Sequence, residues 1–277
     1  MTRLPLSFLA LLLSISGTNV QAQSVSGEPV LDNIVQIKLL PGWRQPSGAH
    51  MVALQVTLAP GWKTYWRVGG DTGIPPRFNW QGSKNLAQVT YRWPRPDIMY
   101  VDGLEIIGYK HQLVLPIELE PTQPGEAITA ALNLEIGVCA KVCIPVTVDL
   151  SASLKPSATE PRALIERALD QVEISAASGG LKSVACTVSK IKDGYQLNAE
   201  FKLPTSETTP EVVVFESTLQ DVWIAPATSQ RNGDRLTAQT TLISYAGDGF
   251  AFDPADLQVT VIGKKAAIDI GGCPLKK

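Results

Sequence analysis

From Val35 onward the chain is written in short β-type segments punctuated by turn formers, a pattern that restricts the fold more than any other feature. Apolar-rich stretches at Val52 to Leu58, Val89 to Arg92, Gln112 to Leu119, Ile128 to Ile136 and Val146 to Leu150 show partial period-two alternation. Ala59-Pro60-Gly61 and the segment from Pro121 to Gly125 stand between them. Short alternating strands with regular turn signals predict an antiparallel sandwich. The stretch from Gly69 to Pro76 and the Trp93-Pro94-Arg95-Pro96 segment are too rich in glycine or proline for strand interiors and predict long ordered loops. A composition shift at Ser151 to Thr159 reads as a linker, and Leu164, Ile165, Ala168, Leu169 and Val172 then share one helical face behind Pro161. After Gly179-Gly180 the β pattern resumes at Val184 to Val188, Tyr195 to Phe201, Val212 to Phe215, Leu236 to Ile243 and Leu257 to Ile262. The expectation is a mainly β chain of two sandwiches joined by a linker and a short helix.

The start of the chain addresses the compartment. Arg3, an apolar run from Leu4 to Ile15, and small residues at Val20 and Ala22 have the form of a secretory signal cleaved after Ala22. That run is about 12 residues, against the ~20 that a membrane span needs, and the mature chain is expected to have no span. An exported bacterial protein of this kind is expected in the periplasm, where paired cysteines are held as disulfides unless electrons are supplied. The 277 residues carry 24 Lys+Arg against 26 Asp+Glu, so there is no basic field to collect a phosphate backbone and nucleic acid is not an expected partner.

Four cysteines remain as the place for chemistry. Cys139 and Cys143 lie between two β-type segments, and three intervening residues suit a tight hairpin with the sulfurs across adjacent strands. Cys186 and Cys273 stand at the two ends of the second sandwich, and pairing within each sandwich is the simplest of the three connectivities. In the chain-entropy model the loop of roughly 88 residues closed by Cys186 and Cys273 contributes ~4.6 kcal/mol, whereas one of about five residues contributes ~2 kcal/mol before strain is subtracted. The long-loop pair therefore reads as a structural staple. The short-loop pair has less to do for stability, and a labile disulfide of that kind suits exchange chemistry, although a hairpin disulfide can also be mere decoration.

Five of the six tryptophans (Trp43, Trp62, Trp66, Trp80 and Trp93) fall in the first sandwich, where core packing accounts for most of them. Around them run Pro60-Gly-Trp-Lys-Thr-Tyr-Trp66, Gly70-Asp-Thr-Gly-Ile-Pro-Pro76, Gly108-Tyr-Lys110 followed by an apolar strand to Pro116, and Cys139-Ala-Lys-Val-Cys143-Ile-Pro145. In this order the motifs resemble the N-terminal periplasmic domain of the DsbD/ScsB family of thiol:disulfide interchange proteins, over roughly residues 30 to 150; some members are linked to copper tolerance. The second sandwich resembles the companion domain of the ScsB-like branch. The resemblance implies immunoglobulin-like folds and divides the chain into a signal peptide (1–22), a thiol domain (23–155), a linker and helix (156–178) and a second β-sandwich (179–277). It implies that Cys143 forms the mixed disulfide with a partner and that Cys139 resolves it. It also implies a protein-disulfide reductase type of exchange with a membrane-embedded thiol reductase as electron donor, thioredoxin-like periplasmic proteins as partners and no cofactor. A loop that caps the cysteines in that family falls near Met99 to Gly103, with Tyr100 or Val101 as the shielding side chain and Asp102 beside them. Asp102, Glu105 and Lys141 read as thiol-tuning charges or as plain solvated side chains. Two departures stand out: the cysteines are separated by only three residues, and the chain is expected to lack an electron source of its own.

Two other readings stay open. Cys139 and Cys143 as thiolates suit soft Cu(I), with Met99 or His111 to complete a site, although two histidines and three methionines are a thin supply. Alternatively the sandwiches are an interaction module and both disulfides are staples. No Gly-rich phosphate loop, nucleophile elbow or paired-His zinc motif is present, and His50 and His111 are isolated in sequence.

Overall fold

The computed structural model describes residues 31, 33–155, 162–204, 211–217, 219, 221–245 and 250–276. The expected signal peptide and residues 156–159 of the expected linker lie outside them, whereas Ser151 to Leu154, expected in that linker, are the end of the last strand of the first sandwich, where they pair with Ala131 to Ile128. The first sandwich is built from β1 (Val35–Arg44), β2 (His50–Leu58), β3 (Lys63–Gly70), β4 (Arg77–Asn79), β5 (Gln88–Tyr91), β6 (Asp97–Val101), β7 (Leu104–Lys110), β8 (Gln112–Glu120), β9 (Ile128–Cys139) and β10 (Cys143–Leu154). One sheet has the order β1-β2-β8-β5 and the other β10-β9-β3-β7-β6, with β4 also on β9. Helix α1 (Arg162–Leu169) leads to β11 (Ile174–Ser175), β12 (Ser183–Ile191), β13 (Gly194–Lys202), β14 (Val212–Glu216), β15 (Val222–Ile224), β16 (Thr228–Asn232), β17 (Arg235–Ser244), β18 (Gln258–Ile262) and β19 (Ala267–Gly271). These form sheets β11-β19-β18-β14 and β12-β13-β17-β15, with β16 on β17. The expected fold class is the observed one. Among the described residues no helix is long and apolar enough to cross a membrane.

Alternation places the core. In β9 the residues Ile128, Ala130, Leu132, Leu134, Ile136 and Val138 are buried against Val52, Leu54, Val56, Leu115 and Trp66. A strand turns successive side chains to opposite faces, so this set commits Cys139 to the outer face of its sheet. Pro145 is tolerated because β10 is an edge strand, where a missing ladder donor costs least. The stretch from Gly69 to Pro76 joins the end of β3 to an open segment, and Trp93 to Pro96 forms no strand, as the prolines predict.

Helix α1 buries Ile165 and Ala168 against Trp43, Met51, Ala53 and Val114 on the outer face of the first sheet, and the Arg162 guanidinium lies 4.7 Å from the Trp43 ring centroid. It ends at Leu169, short of the expected Val172, because Val172 instead bridges Pro94 and Arg95 N donates to Gln171 O at 2.7 Å. The second sandwich joins the first through apolar contact: Val212, Val214, Ile262 and Ala267 belong to the same buried cluster as Trp66 and Ile107.

His50 is fully buried, with Nε2 donating to Pro41 O at 2.6 Å and Nδ1 unpartnered among the described residues. Burial is the main cause that lowers its pKa from 6.5, the Pro41 hydrogen bond opposes that shift, and the Arg44 charge adds to it. A base with a depressed folded pKa contributes stability above its unfolded pKa and loses it as pH falls through the folded value. Thermal midpoints measured down from pH 7 are expected to fall more steeply below about 6.5 in the native protein than in His50→Gln.

Candidate functional site

The ladder between β9 and β10 runs in unbroken register from Ile128 opposite Leu154 to Cys139 opposite Cys143, and at that end the two cysteines are joined by a disulfide with Cα atoms 4.1 Å apart. Ala140 N donates to Val142 O at 3.0 Å and closes the turn. The hairpin expected from the three-residue spacing is therefore present. Its two sulfurs differ in access: Cys139 is 1% exposed, whereas Cys143 is an exposed residue beside Val142, itself 65% exposed. A nucleophile from another molecule can reach the Cys143 side of the bond and not the Cys139 side.

Strand β3 supplies the polar surroundings. Lys63 stands opposite Cys139, so Lys63 and Tyr65 share the outer face with it, while Thr64 and Trp66 turn inward. Lys63 Nζ donates to Ala140 O at 3.3 Å, which ties a buried ammonium group to the turn between the cysteines. Thr64 Oγ1 donates to Gly137 O at 2.9 Å and anchors β9 just before Cys139. The Tyr65 hydroxyl lies 3.6 Å from Cys143 Sγ. Burial pushes the Tyr65 phenol pKa up, so it stays protonated and can donate to sulfur when Cys143 carries negative charge. Neither Lys63 nor Tyr65 was singled out from the sequence; the available signal was their i, i+2 placement in the Trp62-Lys-Thr-Tyr-Trp66 motif.

The apolar surroundings come from β6, β7 and the loop after β3. Tyr65, Met99, Ile106 and Cys139 form one small buried cluster outside the main core. Ile74 crosses over Gly137, where a Cβ would stand 2.6 Å from the Ile74 Cβ, so only glycine lets this loop lie against β9. The stretch expected to be a capping loop is the end of β6 and a two-residue turn, Asp102-Gly103, with φ of 52° and 83°. Positive φ at both turn positions is the Asp-Gly hairpin form.

Within that hairpin Met99 is the residue that packs with Cys139. Tyr100, on the opposite face, is 66% exposed, and its hydroxyl donates to Glu105 Oε2 at 3.1 Å. Val101 is exposed near the tip, and Asp102 forms the turn. Glu105 N donates to Asp71 Oδ2 at 2.6 Å. Burial is the largest cause raising the Glu105 pKa, the Tyr100 hydrogen bond opposes it, and the Asp71 charge adds to it. Lys141 is exposed on the turn, and His111 occupies a left-handed position after β7, with its carbonyl accepting from Leu58 N at 2.7 Å. Among the described residues no three His, Cys, Asp or Glu side chains gather as a metal site.

The second cysteine pair is built differently. Cys186 and Cys273 form a disulfide with Cα atoms 5.6 Å apart, and both are 0% exposed in the core of the second sandwich. Cys186 N donates to Pro274 O and Lys276 N to Cys186 O, which holds the last described residues against β12.

Residues 36–155 match the family model described as thiol:disulfide interchange protein DsbD, N-terminal. The first sandwich belongs to this family. The crystal structure of the N-terminal periplasmic domain of ScsB from Proteus mirabilis is similar to this chain with a TM-score of 0.62 at 22% identity, over 86% of this chain and 92% of that one. That coverage extends beyond the DsbD-like segment, so the likeness in fold includes the second sandwich. No curated protein matches the chain. The DsbD-like sandwich is a thiol:disulfide interchange module, and its one accessible disulfide among the described residues is Cys139–Cys143.

Once the protein is reduced under native conditions, iodoacetamide is expected to modify Cys143 well before Cys139, on the order of tenfold faster given exposure on one side only. Peptide mass spectrometry over a time course reads the order, and equal rates would contradict the asymmetry.

Proposed function

We propose that this protein is a periplasmic thiol–disulfide exchange protein, delivered by the signal at residues 1–22, which relays electrons from a membrane-embedded thiol reductase to oxidised periplasmic proteins, thioredoxin-like ones among them. The observation that carries this reading is the unequal access of the two sulfurs, exposed at Cys143 and buried at Cys139.

In the charging step a donor thiolate attacks Cys143 Sγ, the Cys139–Cys143 bond breaks, and Cys139 leaves with the electron pair and takes up a proton. The donor's second thiol then attacks the donor sulfur of the mixed disulfide and frees Cys143, so two electrons have moved and the donor is the disulfide. In the discharging step the Cys143 thiolate attacks the acceptor's disulfide and one acceptor thiol departs. Cys139, deprotonated, attacks Cys143 Sγ, which restores the original bond and releases the second acceptor thiol. The Tyr65 hydroxyl at 3.6 Å from Cys143 Sγ supports the thiolate in both steps. Met99 and Ile106 keep water from Cys139 between them. Val142 in the turn and Ile74 over Gly137 offer exposed apolar surface near the same disulfide, and Val101 and Leu104 add more at the tip of the β6–β7 hairpin, for a partner to cover. Cys186–Cys273 serves as the staple of the second sandwich.

Cys139→Ser is expected to accumulate a mixed disulfide through Cys143 with periplasmic proteins, whereas Cys143→Ser accumulates none. Non-reducing gels and mass spectrometry of the adducts decide it, and absence of any adduct removes the relay.

One observation favours a second reading: Met99 packs with Cys139, which brings a thioether beside the two cysteines. In the reduced protein that trio is a soft-ligand set suited to Cu(I). Titration of reduced protein with Cu(I) against a chromophoric competitor should show binding that weakens in Met99→Leu and disappears in Cys143→Ser; binding indifferent to both variants excludes this site.

A further inference from the structure

Strand β3 lies between β9, which ends in Cys139, and β7, which carries Ile106. Its regular pairing with β7 breaks after Tyr65 and resumes only at Gly70, so Arg67 leaves the ladder two residues beyond the side chain that touches Cys143. The Arg67 guanidinium stacks 3.9 Å from the Trp66 ring centroid. Its Nε donates to both oxygens of Glu216 at 2.9 and 3.0 Å, Nη1 donates to Glu173 Oε1 at 2.6 Å, and Nη2 donates to Thr260 Oγ1 at 3.1 Å. Glu173 precedes β11, Glu216 ends β14 and Thr260 lies in β18, so one side chain of the first sandwich holds three elements of the second. The Arg67, Glu173 and Glu216 side chains are only 16–21% exposed. A planar guanidinium satisfies this spread of acceptors in a way that a lysine ammonium cannot, and removing one member of a buried ion cluster leaves its partners uncompensated.

The hairpin that packs with Cys139 also faces the second sandwich. Gly70, Asp71 and Glu105 line a cavity of about 70 Å³ together with Phe215, Trp223 and Pro226 of the second sandwich. Asp71 N donates to Glu105 O at 2.9 Å and binds the β3–β4 loop to β7 at the same place. The β6–β7 hairpin therefore has Met99 and Ile106 packed with Cys139 on one face and Glu105 toward the second sandwich on the other.

We propose that Arg67 is a positioning residue through which the second sandwich clamps β3 and the β6–β7 hairpin over the Cys139–Cys143 disulfide, so that the second sandwich restrains the reactivity of the pair. This rests on the exchange reading given above. With Arg67 seated, Tyr65 keeps its place beside Cys143, and Met99 stays over Cys139. When the clamp is released, local opening of the hairpin uncovers the Cys139 side of the disulfide as well and frees that sulfur to leave, without unfolding either core.

The test compares the full native chain with Arg67→Met, Arg67→Lys and Glu216→Gln, using Arg235→Gln, which removes a remote exposed pair with Glu200, as control. Each is treated with a fixed concentration of dithiothreitol, and the two disulfides are followed separately by alkylation and mass spectrometry, with circular dichroism confirming the folded state. Reduction of Cys139–Cys143 is expected to accelerate on the order of tenfold in Arg67→Met, less in Arg67→Lys and Glu216→Gln, and not in Arg235→Gln, while Cys186–Cys273 is unchanged. General loosening would speed both disulfides together, so an unchanged ratio of the two rates overturns the proposal. Glu216→Gln keeps the side-chain shape and supplies that ratio if Arg67→Met does not fold. The trapping experiment with Cys139→Ser leaves Arg67 intact, so failure of the exchange reading is seen there and failure of the clamp here.

Discussion

The register of β9 against β10 governs where everything else at the site can lie. Six alternate residues of β9, from Ile128 to Val138, are buried in the first sandwich, and full burial of an aliphatic side chain contributes about 1.5–3 kcal/mol. A slip of one residue would turn that whole set outward and bring Cys139 into the core. The hydrophobic pattern thus holds the disulfide on the outer face with no help from the sulfur bond itself. The same ladder puts Gly137 under Ile74 and within reach of Thr64 Oγ1, so the loop after β3 and the strand itself are both located by it.

Once the disulfide is on that face, β3 decides its chemistry. Alternation there sends Thr64 and Trp66 inward and leaves Lys63 and Tyr65 beside the cysteines. The Tyr65 phenol, its pKa raised by burial, is a donor that does not compete as a base. Lys63 brings a cationic side chain to the turn, where its hydrogen bond to Ala140 O holds the backbone between the sulfurs. Both groups favour negative charge at sulfur more than at a neutral disulfide, which is the direction that thiol exchange requires.

Much of this was legible in the residues. Period-two alternation and turn formers announced two sandwiches, and spacing separated the hairpin cysteines from the distant pair. The β6–β7 hairpin was less legible: Asp97 to Lys110 mixes exposed Tyr100, Val101 and Leu104 with buried Met99, Ile106 and Ile107, because its two faces meet different neighbours and no single polar face survives. The resemblance pointed to Tyr100 or Val101 as the shielding side chain, whereas Met99, one residue before Tyr100 and on the other face from it, packs with Cys139. Arg67 was invisible for a different reason. Its partners Glu173, Glu216 and Thr260 are 106, 149 and 193 residues away, and an ion cluster assembled at that range leaves no periodic trace.

The comparison of the two disulfides shows why burial separates them better than spacing does. Loop length distinguishes what each bond does to the unfolded chain, but exchange is a property of the folded one. Cys186 and Cys273 are both fully enclosed, so a thiolate approaching in line meets protein on either side. At Cys139–Cys143 the enclosure covers one sulfur only, and the covering residues come from β3, β6 and β7 and not from the hairpin that bears the bond. A bond shielded by elements other than its own can be uncovered by moving those elements, leaving the ladder that carries it intact. That separation lets the sandwich keep a stable core while one disulfide on its surface stays open to exchange.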